Sequence, residues 1–264
     1  MCIRDRDRDA GSPVVVGQPR VRLRLSADAP AASLSVKLCD VFPDGTSALV
    51  TRGSLDLAFR DGVHAPAEPA PLVPGRAYDV EVRLDACAYQ PAPGHRLRLS
   101  VAGADWPNTV APPAPVTLTV HGGSLLLPTW SGSERPAPVF ADGRATSGED
   151  RAGVVWTTSR DVLRRTTTCA VRHGAEYDVP HAGTASERYV GEVVVDRRTF
   201  AQHAAADCAY RLVWPDVEDG VDVRVTSTMR VDVTADGYDV AIAATAYDGE
   251  EQVSHRTWTE HVPR

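Results

Sequence analysis

Strict alternation of apolar and polar residues marks the first half of the chain. VRLRLSA (Val21 to Ala27) and HRLRLSV (His95 to Val101) follow it closely, and SVKLCDV (Ser35 to Val41) and YDVEVRL (Tyr78 to Leu84) follow it nearly as well. A period of two puts successive side chains on opposite faces, the mark of a strand with one buried face. Turn formers separate these runs: PDGT at Pro43 to Thr46, RDG at Arg60 to Gly62, VPG at Val73 to Gly75 and APG at Ala92 to Gly94. Proline presets φ and glycine tolerates positive φ at such places. The spacing predicts an antiparallel sandwich or barrel over this half.

Between Pro128 and Asp150 the composition turns to Pro, Gly, Ser and Glu without periodicity, which reads as a linker or a long surface crossing. The strand pattern returns at AGVVWTTS (Ala152 to Ser159), ERYVGEVVVD (Glu187 to Asp196) and YRLVW (Tyr210 to Trp214). VDVRVTSTMRVDV (Val221 to Val233), YDVAIAATAY (Tyr238 to Tyr247) and QVSHRTW (Gln252 to Trp258) are joined by two Asp-Gly turns and predict a three-stranded meander. RRTFAQHAAADCAY (Arg197 to Tyr210) is the one candidate helix, with a weak amphipathic pattern. The fold class is therefore all-β, in two consecutive domains.

Composition narrows the function classes. The net charge of -7 is spread along 264 residues, which argues against a nucleic-acid or anionic-membrane footprint. No stretch approaches the roughly 18 apolar residues of a membrane span. Only Lys37 among the 28 basic residues is a lysine, so the arginine excess reads as GC-rich bacterial codon usage rather than phosphate recognition. Cys2, Cys39, Cys87, Cys169 and Cys208 are widely spaced, with no Cys-x-x-Cys; free thiols in a reducing, cytoplasmic setting are expected.

Candidate chemistry is sparse. The nucleophile elbow Gly-x-Ser-x-Gly is absent, and the glycine-flanked Ser54, Ser124, Ser131 and Ser133 lie in turn or linker contexts. Phosphate-loop patterns are absent too. His173, Glu176 and His181 are the best metal candidate, but the GAEYDVP stretch between the histidines favours a hairpin over a ligand-bearing helix. His95, at the start of a strand, reads as a hydrogen-bonded structural residue. Asp216, Glu218 and Asp219 read as a polar turn. Asp105 and Trp106, in the loop AGADWPN, are the candidate domain-interface or cleft-lining residues. No catalytic, cofactor or metal residue is assigned.

The segments Leu38 to Gly62 and Pro71 to Asn108 resemble the C-terminal jelly-roll domain of the X-prolyl dipeptidyl peptidase and cocaine esterase family, the CocE/NonD hydrolases. Asp40, Val41, Pro43, Asp44, Gly45, Pro71, Leu72, Pro74, Gly75, Tyr78, Gly94, His95, Arg96 and Leu97 match its pattern in order. PAASLSV stands where the family often has Asp-Thr-Asp-Phe, and the Arg-Asn-Pro-Asn run after the aromatic-Pro loop is missing, which suggests the acyl esterase subgroup. A tail carrying Tyr247, Gly249, Arg256, Trp258, Pro263 and Arg264 looks like the end of such esterases.

The resemblance implies a galactose-binding-like jelly-roll β-sandwich over residues 12–127, a linker over 128–150 and a second antiparallel β domain over 151–264. It also implies that the catalytic Ser, Asp and His lie in an α/β-hydrolase domain N-terminal to the jelly roll, so this chain alone is expected to be inactive. That hydrolase domain is the expected partner, with no cofactor. Two other readings are a free-standing carbohydrate-binding module, which wants an exposed aromatic row or a calcium ion, and edge-to-edge oligomerisation through the second domain. The opening MCIRD plus half a codon back-translates to ATG TGT ATA AGA GAC AG, which looks like a transposon adapter end. Residues 1–11 are accordingly expected to be an unstructured, non-native tail, with native sequence starting near Asp7.

Overall fold

The computed structural model describes residues 14–62, 69–130, 132, 153–216 and 220–263, and the backbone of 2–6. Contacts divide the chain into Met1–Ala137 and Pro138–Arg264. The described residues are strands, turns and one 3-10 turn at Leu57–Phe59, and none of their helices is long and apolar enough to cross a membrane.

Among the described residues the first unit holds nine strands: β1 (Cys2–Arg6), β2 (Val15–Gly17), β3 (Arg20–Ala27), β4 (Ser33–Val41), β5 (Ser47–Asp56), β6 (Ala77–Arg83), β7 (Cys87–Tyr89), β8 (Arg96–Ala102) and β9 (Leu118–Leu126). They form a sheet in the order β6-β3-β9, a second in the order β1-β8-β4-β5, and a ribbon β2-β7. The chain passes from the first sheet to the second and back repeatedly, giving the jelly-roll β-sandwich. Cys2–Arg6, within the segment expected to be an unstructured tail, runs antiparallel to β8 at a sheet edge.

The alternation read from sequence is what closes this sandwich. Val21, Leu23 and Leu25 of β3 point inward and meet Leu34, Val36 and Leu38 of β4 in one buried cluster. The intervening arginines face out and pair across the strand register. Arg22 donates to Glu81 at 2.9 Å and Arg24 to Asp79 at 2.7 Å, each opposite its partner on β6. Two of the arginines in the excess are thus partners of carboxylates on the outer face.

The described residues of the second unit form one seven-stranded antiparallel sheet in chain order: β10 (Val155–Asp161), β11 (Thr166–Val179), β12 (Gly183–Asp196), β13 (Gln202–Trp214), β14 (Val221–Val233), β15 (Gly237–Asp248) and β16 (Glu251–Pro263). The meander expected from the two Asp-Gly turns is its last three strands.

Arg197–Tyr210 is not a helix. Asp196 accepts from the backbone of Arg198 (2.7 Å) and Thr199 (3.1 Å), starting a turn that Phe200 ends at φ 61°. Gln202 onward is then strand β13, hydrogen-bonded on both edges to β12 and β14. The alanine-rich run has good helix propensity, but the two flanking strands satisfy its whole backbone.

Register assigns the two faces of this sheet. One carries Ala204, Ala206, Cys208, Tyr210 and Leu212 of β13 beside Val223, Val225, Met229 and Val231 of β14. The other carries lateral polar pairs: His203 with Asp232 (2.8 Å), Arg211 Nε with Asp222 (2.6 Å) and His261 with Asp239 (2.7 Å).

Candidate functional site

The turns that carry the family-like pattern converge around one buried carboxylate. Asp40 lies near the end of β4, a strand paired on both edges, and its side chain is 1% exposed. Its Oδ2 accepts from Tyr89 Oη of β7 at 2.6 Å and lies 2.7 Å from His95 Nδ1, just before β8. A carboxylate only accepts, so Nδ1 carries the hydrogen. Phe42 packs on the His95 ring with centroids 4.6 Å apart. Asp40 Oδ1 is buried with no partner among the described residues. The Tyr89 phenol is pushed up to about 12, first by its hydrogen bond to Asp40, then by burial and the nearby charge.

Local sequence explains why these groups meet. Asp44 Oδ1 accepts from Thr46 N (2.9 Å) and Thr46 Oγ1 (2.7 Å), and Gly45 takes φ 87°, which tightens the PDGT turn after Asp40. Gly94 takes φ 81° in the turn before His95, and a Cβ there would lie 3.8 Å from Pro43, so the two turns abut. Tyr78 fastens the VPG turn by accepting from Val73 N at 2.8 Å, with Arg60 and Arg76 over its ring. The pattern residues are turn formers and anchors. An Asp-His pair this enclosed, with His95 only 14% exposed, orients loops and offers a substrate no approach.

Asp105 and Trp106 occupy the loop after β8. Asp105 accepts from Lys37 Nζ of β4 at 2.7 Å and bonds to Ser35 and Asn108. Burial works to raise its pKa, but the Lys37 bond and charge, with those two partners, hold it below the usual carboxylate range. Trp106 is half-buried and precedes a cis peptide bond to Pro107. Sequence reasoning singled out the loop but not its anchor, since Lys37 lies 68 residues away.

The other candidates do not converge. His173 and Glu176 both lie on β11, three positions apart and so on opposite faces, and His181 stands in the following turn at φ 66°. His173 lies instead 3.3 Å from Glu187 and packs on Tyr189. Among the described residues no group of three or more His, Cys, Asp or Glu is placed to hold a metal ion. Ser54 is in β5 and Ser124 in β9, while Ser131, Ser133, Glu218 and Asp219 lie outside the described residues, as does most of the expected linker. Cys39, Cys87, Cys169 and Cys208 are free thiols. The cluster that sequence reading missed is the triple Asp40, Tyr89 and His95, of which Tyr89 carried no signal at all.

Comparison with known proteins finds a match to the model of the X-Pro dipeptidyl-peptidase C-terminal non-catalytic domain over residues 12–150, just over half of the chain. A protein of Rhodopirellula baltica named as a Xaa-Pro dipeptidyl-peptidase is 35% identical over 111 residues, covering 39% of this chain and 17% of the relative. Cocaine esterase of a Rhodococcus species is 29% identical over 94 residues, covering 36% of this chain and 16% of the relative. The crystal structure of an aminopeptidase from a marine sediment Thaumarchaeota archaeon aligns with a TM-score of 0.44 at 22% identity, over 48% of this chain and 25% of that one. The matched part of this chain thus spans about a sixth of the length of either curated relative.

Proposed function

Since this chain belongs to the X-Pro dipeptidyl-peptidase C-terminal non-catalytic domain family, we propose that it is the non-catalytic C-terminal portion of a serine hydrolase of the acyl esterase and X-prolyl dipeptidyl-peptidase kind. Its jelly roll packs on an α/β-hydrolase domain and helps wall that domain's active-site cleft. The observation that carries this reading is the family match over residues 12–150, together with the use of the pattern residues inside it. Asp40, Tyr78 and His95 are spent on holding turns in place, as suits a supporting domain.

The loop after β8 is the part we assign to the partner. Asp105 is tied back to the body of the jelly roll by Lys37, so the loop is fixed in place, and half-buried Trp106 is its large apolar side chain. A rigid aromatic on a fixed loop suits an interdomain contact. The free thiols fit a reducing, cytoplasmic setting.

The test is a titration of the full chain against a family α/β-hydrolase lacking its own C-terminal domain. Binding that Trp106→Ala weakens is the expected result, and absence of binding overturns the packing claim. The chain alone should release no p-nitrophenol from short p-nitrophenyl esters, and turnover above the blank would remove the non-catalytic assignment.

A further inference from the structure

The seven-stranded sheet has one face finished for water and one that is not. On the face of the His203–Asp232 and His261–Asp239 pairs, polar groups satisfy one another laterally. The opposite face carries no charged side chain on β13, β14 or β15 before the terminal Asp248. Large apolar groups there stand open: Val225 is 47% exposed, Met229 38% and Trp258 49%. Its charges lie at the periphery. Arg160 is on edge strand β10, Arg256 and Glu260 are on edge strand β16, and the His173–Glu187 pair lies where β10 has ended and β11 is itself the edge. An apolar centre ringed by charge is the anatomy of a protein interface.

We propose that this face is an isologous dimer interface, on which a second copy of the chain lays the same face to complete a β-sandwich. Area supports a second copy as the occupant. Six strands of 12 to 14 residues and the seven-residue β10, about 4.8 Å apart and rising about 3.3 Å per residue, give a footprint of about 1,200 Å² per copy. Twice that, about 2,400 Å², lies in the range of obligate homodimers and above the roughly 1,600 Å² of an ordinary complex. The face is also self-complementary, since a two-fold axis through its centre sets apolar centre on apolar centre and charged rim on charged rim. The sheet built from residues 153–263 lies beyond the family match, which ends at residue 150.

The centre of the face is marked by a thiol. β13 is the fourth of seven strands, and exposed Cys208 is the middle residue of Gln202–Trp214. Its neighbours on the face are Ala206 and Tyr210 along the strand, Ser227 across it on β14 and Tyr189 across it on β12. A two-fold axis near this point brings Cys208 beside its own copy.

The experiment uses the full chain. Sedimentation equilibrium should return twice the chain mass of 28.3 kDa, and a short bis-maleimide should join two chains through Cys208, mapped by peptide mass spectrometry. Val225→Glu should weaken the dimer by about thirtyfold, the scale of a hot-spot loss, while Thr228→Glu on the polar face leaves it unchanged. If Val225→Glu does not fold, the Cys208 cross-link in the unsubstituted chain decides. A monomer at all soluble concentrations overturns the proposal, as does a dimer indifferent to Val225→Glu, or Cys208 cross-links that stay within one chain. Protection of the face only after a hydrolase domain is added overturns it too.

Discussion

His95 Nδ1 lies 2.7 Å from the Oδ2 atom of Asp40, and Tyr89 donates to that same oxygen from the other side. The pair joins residues 55 positions apart and pins the turn before β8 to the end of β4. Asp40→Ala strips two partly buried donors of their acceptor and should cost about 3 kcal/mol. Tyr89→Phe, which removes one donor, should cost about 1 kcal/mol. Urea unfolding followed in the jelly roll measures both, and an Asp40→Ala midpoint equal to that of the unsubstituted chain would show that the cluster contributes nothing.

The phenols give a signal at high pH. Tyr89 and Tyr177 are both pushed up to about 12, Tyr89 by its bond to Asp40 and Tyr177 by its bond to Tyr210. A phenol raised in the folded state above its ordinary value near 10 contributes stability below pH 10 and loses it as pH climbs toward 12. Absorbance titration near 295 nm should therefore show two of the seven tyrosines ionising late. Tyr89→Phe should remove one late step, and a single transition near 10 for every tyrosine counts against these contacts.

Acid acts on the other anchor. Asp105 is held below the usual carboxylate range, so its contribution is complete above about pH 4 and is lost as pH falls through the lowered folded value. Lys37→Met should cost about 1 kcal/mol at pH 7, because the pair is only partly buried. Once Asp105 is protonated in both proteins the gap should narrow. A difference that stays constant from pH 7 to pH 2 would assign the effect to packing instead.

Two adjacent glycines should behave in opposite ways. A Cβ on Gly123 would sit 2.5 Å from the Arg22 carbonyl oxygen and 2.7 Å from Leu23, whereas one on Gly122 meets nothing within 4 Å. Gly123→Ala should cost about 2 kcal/mol through overpacking against β3, and Gly122→Ala should be neutral within about 0.5 kcal/mol. Thermal unfolding of the two variants side by side checks the contrast, and equal melting temperatures would contradict the close approach of β9 to β3.

The strands of the jelly roll were legible because each buries one face, and burial imposes a period of two on VRLRLSA and HRLRLSV. Arg197–Tyr210 was misread for the converse reason. Ala204, Ala205 and Ala206 look alike on both faces, so the alternation that would have declared a strand is invisible there, and only the partners β12 and β14 decide it. At the site, Asp40 and His95 each stood out as pattern residues, but their bond depends on a pairing of β4 with β8 that one-dimensional spacing does not carry. Tyr89 and the Lys37 anchor were illegible on the same ground. The two faces of the second sheet could be told apart only after register had aligned seven strands.

Lys37 has a further, practical consequence. It is the chain's single lysine, and it is clasped to Asp105 in the fold. Amine-directed dyes, fixatives and coupling resins therefore have one side-chain target, and reacting there unfastens the loop that carries Trp106. Attachment through this side chain would tether the molecule at β4 and disturb the loop in the same step.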